Sequence, residues 1–234
     1  MLALVSAIPK VFEKILDARL RTWSERVGGL SDLQGGFRGE RATTDQQFIL
    51  NEIITMRKEQ GLPTYTAFLD IAKAYDRVWQ PGLWVKLQRS GMDTQLLELI
   101  RLMYRSIVRR VLIRNDVSAE FEVHAGVPQG AVLSPLLYAN YINGLHDVLR
   151  KRGIGVWVYG RLVPVLIYAD DLTLLATDQA MLTASLLAVE EYAANWRFAF
   201  NHDKCKVVVF RSKKLQAAAR LHVWTLASQR IEAQ

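Results

Sequence analysis

Two adjacent carboxylates, Asp170 and Asp171, stand in an otherwise apolar run, Leu166-Ile-Tyr-Ala-Asp-Asp-Leu-Thr-Leu-Leu175. Held together in partly desolvated surroundings, they raise each other's pKa unless a cation neutralises them. Aspartates also favour turns on conformational grounds alone, so the pair by itself admits both readings. Asp70 ends another apolar, β-like run, Ala67-Phe-Leu-Asp70. If the two strand ends converge, they gather a third carboxylate at one edge of a sheet. Hard oxygen donors with no His or Cys cluster nearby select Mg²⁺ or Mn²⁺ over zinc. His124, His146, His202 and His222 are scattered without ligand spacing. Two such ions can activate a hydroxyl nucleophile and stabilise both a pentavalent phosphorus centre and a departing pyrophosphate. Asp76 is a weaker candidate, placed as well for the surface or for a local pair with Arg77.

The elements that must position these acids follow from periodicity. Val11, Ile15, Leu16 and Leu20 at helical spacing predict a helix from Val11 to Arg26, after a short apolar stretch, Met1 to Pro9, read as core. A Gly-rich loop, Leu33 to Glu40, precedes a second helix capped at Thr43-Thr44-Asp45 and reaching about Glu59. A strand from Thr64 to Leu69 ends at Asp70, with a short helical piece from Ala72 to Val78 and another helix after Pro81-Gly82. Helical spacing between Thr94 and Arg109 leads into a hairpin of Arg110–Arg114 with Phe121–His124, and Ser134-Pro135 starts a helix running to about Leu149. Strands are expected at Val156–Tyr159, Val163–Tyr168, Leu172–Ala176, Cys205–Phe210 and Leu221–Leu226, with a helix from Gln179 to Trp196 and a basic connection from Arg211 to Arg220. This mixture predicts an α+β fold, an antiparallel-rich sheet with helices on one face.

Composition constrains the partners. With 234 residues, half of them hydrophobic, the chain can bury a substantial core, which argues against disorder. A formal charge of +7 favours an acidic partner such as nucleic acid. The single Cys205 excludes an internal disulfide and fits a reducing compartment, hence an intracellular location, cytoplasmic or nuclear. Charged residues interrupt every apolar stretch before it reaches membrane length, so no membrane association is expected. Arg101, Arg105 and Arg109 recur every four positions and would line one helical face, towards nucleic acid or towards solvent.

Four blocks occur in order: Phe68-Leu-Asp-Ile-Ala-Lys-Ala-Tyr-Asp76; Gly126-Val-Pro-Gln-Gly130 followed by Leu133-Ser-Pro-Leu-Leu137; Tyr168-Ala-Asp-Asp171; and Phe200-Asn-His-Asp-Lys-Cys-Lys206. Together they resemble the palm motifs of reverse transcriptases. Upstream, Gln34-Gly-Gly-Phe-Arg-Gly-Glu-Arg-Ala-Thr-Thr-Asp45 resembles the fingers segment of the non-LTR, LINE-like retrotransposon enzymes and their group II intron relatives. The resemblance covers roughly Leu2 to Arg211, and its ordered spacing is more specific than any one block.

This resemblance implies a polymerase palm backed by helices over residues 64–234, interrupted by a helical insertion around 82–125, with partial fingers over 1–63 and no thumb. It implies an RNA-directed DNA polymerase using two Mg²⁺ ions, or Mn²⁺, with an RNA template, a DNA primer and deoxynucleoside triphosphates as partners. Asp70, Ile71, Asp170 and Asp171 would hold metal. Tyr75 would be the aromatic gate against a ribose 2′-hydroxyl, Gln129 and Gly130 would contact incoming nucleotide and template, and Ala169 would lie near the nucleotide sugar. Lys204 would protonate or neutralise pyrophosphate, and Arg38 and Arg41 would approach the template strand. As bare chemistry, an aromatic at Tyr75 also fills a core, Pro-Gln-Gly is an ordinary turn, and Lys204, Arg38 and Arg41 suit a solvated surface. The chain starts after the family's first fingers motif and shows neither primer grip nor thumb, so the expectation is a truncated frame. Two rivals follow: an RNA-dependent RNA polymerase, which Tyr75 and Ala169 disfavour, and a nonenzymatic nucleic-acid-binding remnant.

Overall fold

A computed structural model describes residues 7–27, 29–105, 107–114, 116–211 and 213–233. In chain order the elements are α1 (Ala7–Arg26), α2 (Thr43–Glu59), β1 (Thr64–Asp70), α3 (Gln80–Arg89), α4 (Thr94–Arg105), β2 (Val108–Arg109), β3 (Leu112–Ile113), β4 (Asp116–Val117), β5 (Phe121–Glu122) and α5 (Ser134–Ile142). There follow α6 (Leu145–Lys151), β6 (Val156–Val158), β7 (Arg161–Val163), β8 (Val165–Tyr168), β9 (Asp171–Ala176), α7 (Gln179–Asn195), a 3-10 turn (His202–Lys204), β10 (Lys206–Phe210), α8 (Lys213–Leu221), β11 (Trp224–Leu226) and β12 (Gln229–Ala233). They form two compact units, residues 1–29 with 75–141 and residues 30–74 with 142–234. The α+β expectation holds.

The second unit is built on a six-stranded sheet in the order β11-β12-β10-β1-β9-β8. Its pairings are antiparallel except for β10 with β12. Strand β1 is central because Thr64-Tyr-Thr-Ala-Phe-Leu-Asp70 is β-branched and aromatic, and it pairs on both sides. Directly opposed residues share a face, so Ala67 and Leu69 lie with Leu172, Leu174 and Val207 on one uniformly buried apolar face. The opposite face carries Phe68, Asp70, Asp171, Thr173 and Tyr168. Along that face Leu166 and Leu175 are buried with Ile53 of α2 and with Val156 and Val163 of the β6–β7 hairpin. One end is therefore closed by hydrophobic packing, and the other carries the acids.

Helix α7 begins where Asp178 accepts the Met181 N–H at 2.8 Å, the N-cap geometry that satisfies an otherwise orphaned donor. Helix α2 has the expected span, but its N-cap is Ala42, and Asp45 reaches back to accept the Ala42 N–H at 2.7 Å. Other expectations are corrected. Residues 72–78 form turns rather than a helix, because their backbone is committed elsewhere: Ala72 donates to Ala199, while the Tyr75 and Val78 carbonyls accept from Val127 and Gly126. Helix α3 opens at Gln80 with Pro81 inside its first turn, a position whose missing N–H has no helical acceptor.

Helix α4 ends at Arg105, and Val108–Arg109 pair instead with Phe121–Glu122, so Arg109 does not continue a helical stripe with Arg101 and Arg105. The expected hairpin is two short ladders, β2–β5 and β3–β4. The helix expected through Leu149 breaks into α5 and α6 at Asn143-Gly144, where the Asn143 side chain accepts the Ser31 N–H at 2.8 Å. The basic connection is helix α8, and β12 is an additional strand. Residues 1–6 of the stretch read as core lie outside the described residues, whereas Ile8 is 84% exposed, so the start of α1 is not core. On α1, Leu16 and Leu20 are buried while Val11 and Ile15 are exposed. Trp157 of β6 is exposed as well.

Candidate active site

The strand register brings the acids together. Asp70 is the direct antiparallel partner of Asp171, and Asp171 is also the partner of Tyr168 across a two-residue turn made by Ala169 and Asp170. Ala169 has φ 58°, the left-handed region where a side chain is disfavoured and glycine is usual. A turn of this shape needs support from outside the hairpin.

That support comes from the Gly-rich loop. Gln34 forms an isolated parallel bridge with Ile167 of β8: Ile167 N–H donates to Leu33 O at 2.9 Å and Gly35 N–H donates to Ile167 O at 2.8 Å. Gly36 then passes so close to the turn that a Cβ there would lie 2.2 Å from the Ala169 nitrogen. Glycine is required by this approach rather than by a positive φ. Gln34, 0% exposed, accepts N–H bonds at its Oε1 from Gly36 at 2.8 Å and from Ala169 at 3.2 Å.

Charge at the site is uneven. Burial pushes the Asp171 carboxyl up from the ordinary carboxylate range; the charges of Asp170 and Asp70 push it further, and Lys204 opposes them. The Lys204 Nζ stands 3.3 Å from Asp70 Oδ1, with side chains 65% and 24% exposed. The 3-10 turn that carries Lys204 is held to the strand by the Asn201 N–H donating to Asp70 O at 2.9 Å. A cavity of about 470 Å³ opens at this edge, lined by Asp70, Tyr168, Asp171, Thr173 and Lys204 of the sheet side and by Thr43, Gln46 and Gln47 of α2.

A carboxyl whose proton affinity is raised by burial and by acidic neighbours, as that of Asp171 is, is the donor type a hard divalent cation relieves, so the donor chemistry fits such an ion. The geometry is looser: among the described residues, no group of three or more His, Cys, Asp or Glu side chains is drawn in closely enough to hold a metal. Ile71 is buried just past Asp70 and forms a bridge with Phe200.

The remaining sequence candidates have definite places. In the first unit, the half-buried Tyr75 ring stacks on Tyr138 at 5.3 Å and 15°. Gly126, at φ 82°, passes the Tyr75–Asp76 backbone so closely that a Cβ would lie 2.8 Å from the Asp76 carbonyl oxygen. The first and second blocks therefore meet through Tyr75, Asp76 and Gly126. Gln129 is half-buried, and Gly130 is exposed at φ 93°. In the second unit, Arg38 donates to Ser31 O at 2.9 Å, and Arg41 donates to Asp32 O at 2.7 Å and pairs with its carboxylate at 2.9 Å. Both guanidiniums hold the loop's own shape.

Sequence reasoning missed Gln34, Gly36 and the α2 wall of the cavity. The adjacent Gly35-Gly36 was the available signal, since paired glycines mark close backbone approach. Nothing local marked Thr43, Gln46 and Gln47.

An antiparallel sheet with an acidic pair on a tight hairpin beside a third strand-end aspartate defines a polymerase-type palm. Residues 1–228 match the family model for reverse transcriptase (RNA-dependent DNA polymerase), and the chain belongs to that family. Relatives encoded by non-LTR retrotransposons match it over most of its length. The chain is 29% identical over 214 residues to the RNA-directed DNA polymerase from mobile element jockey of Drosophila funebris, covering 89% of this chain and 23% of that protein. It is also 29% identical over 203 residues to the Pol polyprotein from a type-1 retrotransposable element R2 of Popillia japonica, covering 82% and 27%. The chain thus spans about a quarter of the length of the curated relatives it matches.

Among solved structures, apo telomerase from Candida tropicalis aligns with a TM-score of 0.60 at 14% identity, over 94% of this chain and 38% of that one. Telomerase from Candida albicans with a fragment of telomeric RNA aligns at 0.58 and 16%, over 88% and 36%. These likenesses establish the fold. Members of the family use a divalent metal. No helix among the described residues is long and apolar enough to cross a membrane.

Proposed function

We propose that this chain carries the centre at which an RNA-directed DNA polymerase adds deoxynucleotides to a DNA primer paired with an RNA template. The observation that carries the reading is the register of Asp70 opposite Asp171, with Asp170 in the adjoining turn. Asp70, Ile71, Asp170 and Asp171 would hold Mg²⁺, two ions in the working enzyme. Bound there, the metal would lower the pKa of the primer hydroxyl and neutralise charge building on the phosphates.

The chain's own groups have roles around that chemistry. Asp70 and Asp171 project from paired strands on one face, so backbone hydrogen bonds fix their spacing before any ligand arrives. Lys204, exposed and beside Asp70, is free to turn to a phosphate and supply charge or a proton as pyrophosphate leaves. Ala169, the small residue of the turn, is assigned the place beside the nucleotide sugar. Tyr75, braced by Tyr138, is assigned the gate that excludes a 2′-hydroxyl, with Gln129 and Gly130 at the incoming nucleotide. Arg38 and Arg41 shape the loop assigned to the template strand. The setting would be intracellular, cytoplasmic or nuclear.

Primer extension on an RNA template with Mg²⁺, comparing the chain with its Asp170→Ala/Asp171→Ala variant, tests the assignment. The double variant is expected to lose activity by at least about 10²-fold. Equal extension by both proteins would remove these aspartates from the chemistry.

A further inference from the structure

The groove between α3 and α4, lined by Trp84, Arg101 and Arg105, has nothing beside it that identifies an occupant. The exposed apolar residues Ile8, Val11, Phe12 and Ile15 of α1 are likewise without an identified cover. The buried carboxamide of Gln34 is different, because it touches the turn of the acidic pair.

We infer that Gln34 is a positioning residue, whose Oε1 pins the Ala169 backbone and thereby sets where Asp170 and Asp171 present their carboxylates. The inference rests on the metal-holding role proposed above. Three observations converge on it. Gln34 is fully buried, and its Oε1 accepts from both Gly36 and Ala169, the residue at φ 58° that precedes the aspartates. The backbone of residues 33–35 is bonded to Ile167 of β8, so the carboxamide is mounted on the same sheet it braces. Its Nε2, meanwhile, is buried and finds no hydrogen-bond partner among the described residues.

The unpaired Nε2 separates positioning from filling. An aliphatic side chain of similar length would fill the space without burying an unpaired amide donor, which is unfavourable. What it would not supply is the acceptor. Without that oxygen the Ala169 N–H loses its partner, and the left-handed turn is free to relax towards ordinary backbone angles. Relaxation at Ala169 re-aims the next two side chains, as loss of an outer-shell hydrogen bond re-aims metal ligands elsewhere.

The experiment measures Mn²⁺ binding by electron paramagnetic resonance of the free ion, well below the thermal midpoint. The proteins are wild type, Gln34→Met, Gln34→Glu and Asp170→Ala/Asp171→Ala. Gln34→Met keeps the length and removes the acceptor, and it should bind Mn²⁺ about 10- to 100-fold more weakly. It should raise the Mg²⁺ concentration for half-maximal primer extension by the same factor. Gln34→Glu keeps an oxygen in place and should stay within about threefold of wild type.

If Gln34→Met binds like wild type while the double aspartate variant loses binding, positioning is overturned and the metal site stands. Equal weakening by Gln34→Met and Gln34→Glu overturns the acceptor argument. Indistinguishable binding by wild type and the double aspartate variant overturns the metal site and this inference with it. Should Gln34→Met fail to fold, hydrogen exchange on wild type decides: a protected Ala169 amide supports the bond, and exchange at the rate of an exposed turn overturns it.

Discussion

Gly36→Ala is the sharpest test of how the loop and the acidic hairpin are built together. The added methyl would lie 2.2 Å from the Ala169 nitrogen, 2.8 Å from its Cα and 3.1 Å from its Cβ. Two of these are backbone atoms, which cannot swing aside as a flexible side chain would. Neither strand edge yields freely, because Leu33, Gly35 and Ile167 are tied by main-chain hydrogen bonds. Relief therefore requires moving the turn by roughly 1 Å, at an overpacking cost of about 1–3 kcal/mol. For a chain of this size that lowers the melting temperature by about 2–4 °C for each kcal/mol. A displacement of that size at the reacting groups costs about 10²-fold in rate.

The assay pairs thermal unfolding with primer extension and uses Gly39→Ala as control. Gly39 lies in the same loop, and a Cβ there would meet nothing within 4 Å. Gly39→Ala should behave as wild type in both measurements. If Gly36→Ala matches Gly39→Ala in stability and in rate, the loop does not press on the turn, and the argument for a shared scaffold fails.

Two further outcomes test stability within each unit separately. Asp178→Ala should cost about 1 kcal/mol by removing the N-cap of α7, measured by denaturant unfolding. The Met181 N–H bond and the Thr177 hydroxyl hold the Asp178 carboxyl below the ordinary range. Its contribution is therefore present above 3.8 and is lost as pH falls through the depressed folded value, so wild type and variant should converge in acid. Lys86 carries the opposite signature for a base: burial lowers its pKa from 10.5 to about 7. The unfolded chain then holds more protons between those values, so stability should rise with pH across that window, by at most about 1.4 kcal/mol per pH unit. In Lys86→Met that rise should disappear; its persistence would place the titrating group elsewhere.

Much of the chemistry was legible in the sequence because it is local. An apolar run of residues that favour strands, interrupted by Asp170-Asp171 or closed by Asp70, announces strand, turn and carboxylate at once. The span of α2 was equally readable from Thr43-Thr44-Asp45 at its start. Where local preference is weak, tertiary bonding decided. Residues 72–78 spell a short helix, yet the Tyr75 and Val78 carbonyls are taken by Val127 and Gly126. Strand β12, Gln229-Arg-Ile-Glu-Ala233, has a single buried hydrophobic residue, Ile231, and turns at Ala227-Ser228 with both φ positive, so neither composition nor a glycine turn marked it.

The sequence by itself determined that three aspartates end or join strands, and its ordered blocks determined the family. Only the tertiary structure decided that Asp70 faces Asp171, since register is set by burying Ala67, Leu69, Leu172 and Leu174 together on the opposite face. It also decided that Gln34 and Gly36, more than a hundred residues before the acidic turn in the chain, brace that turn. Alternation is written residue by residue, whereas the meeting of a loop and a hairpin depends on the whole sheet being assembled.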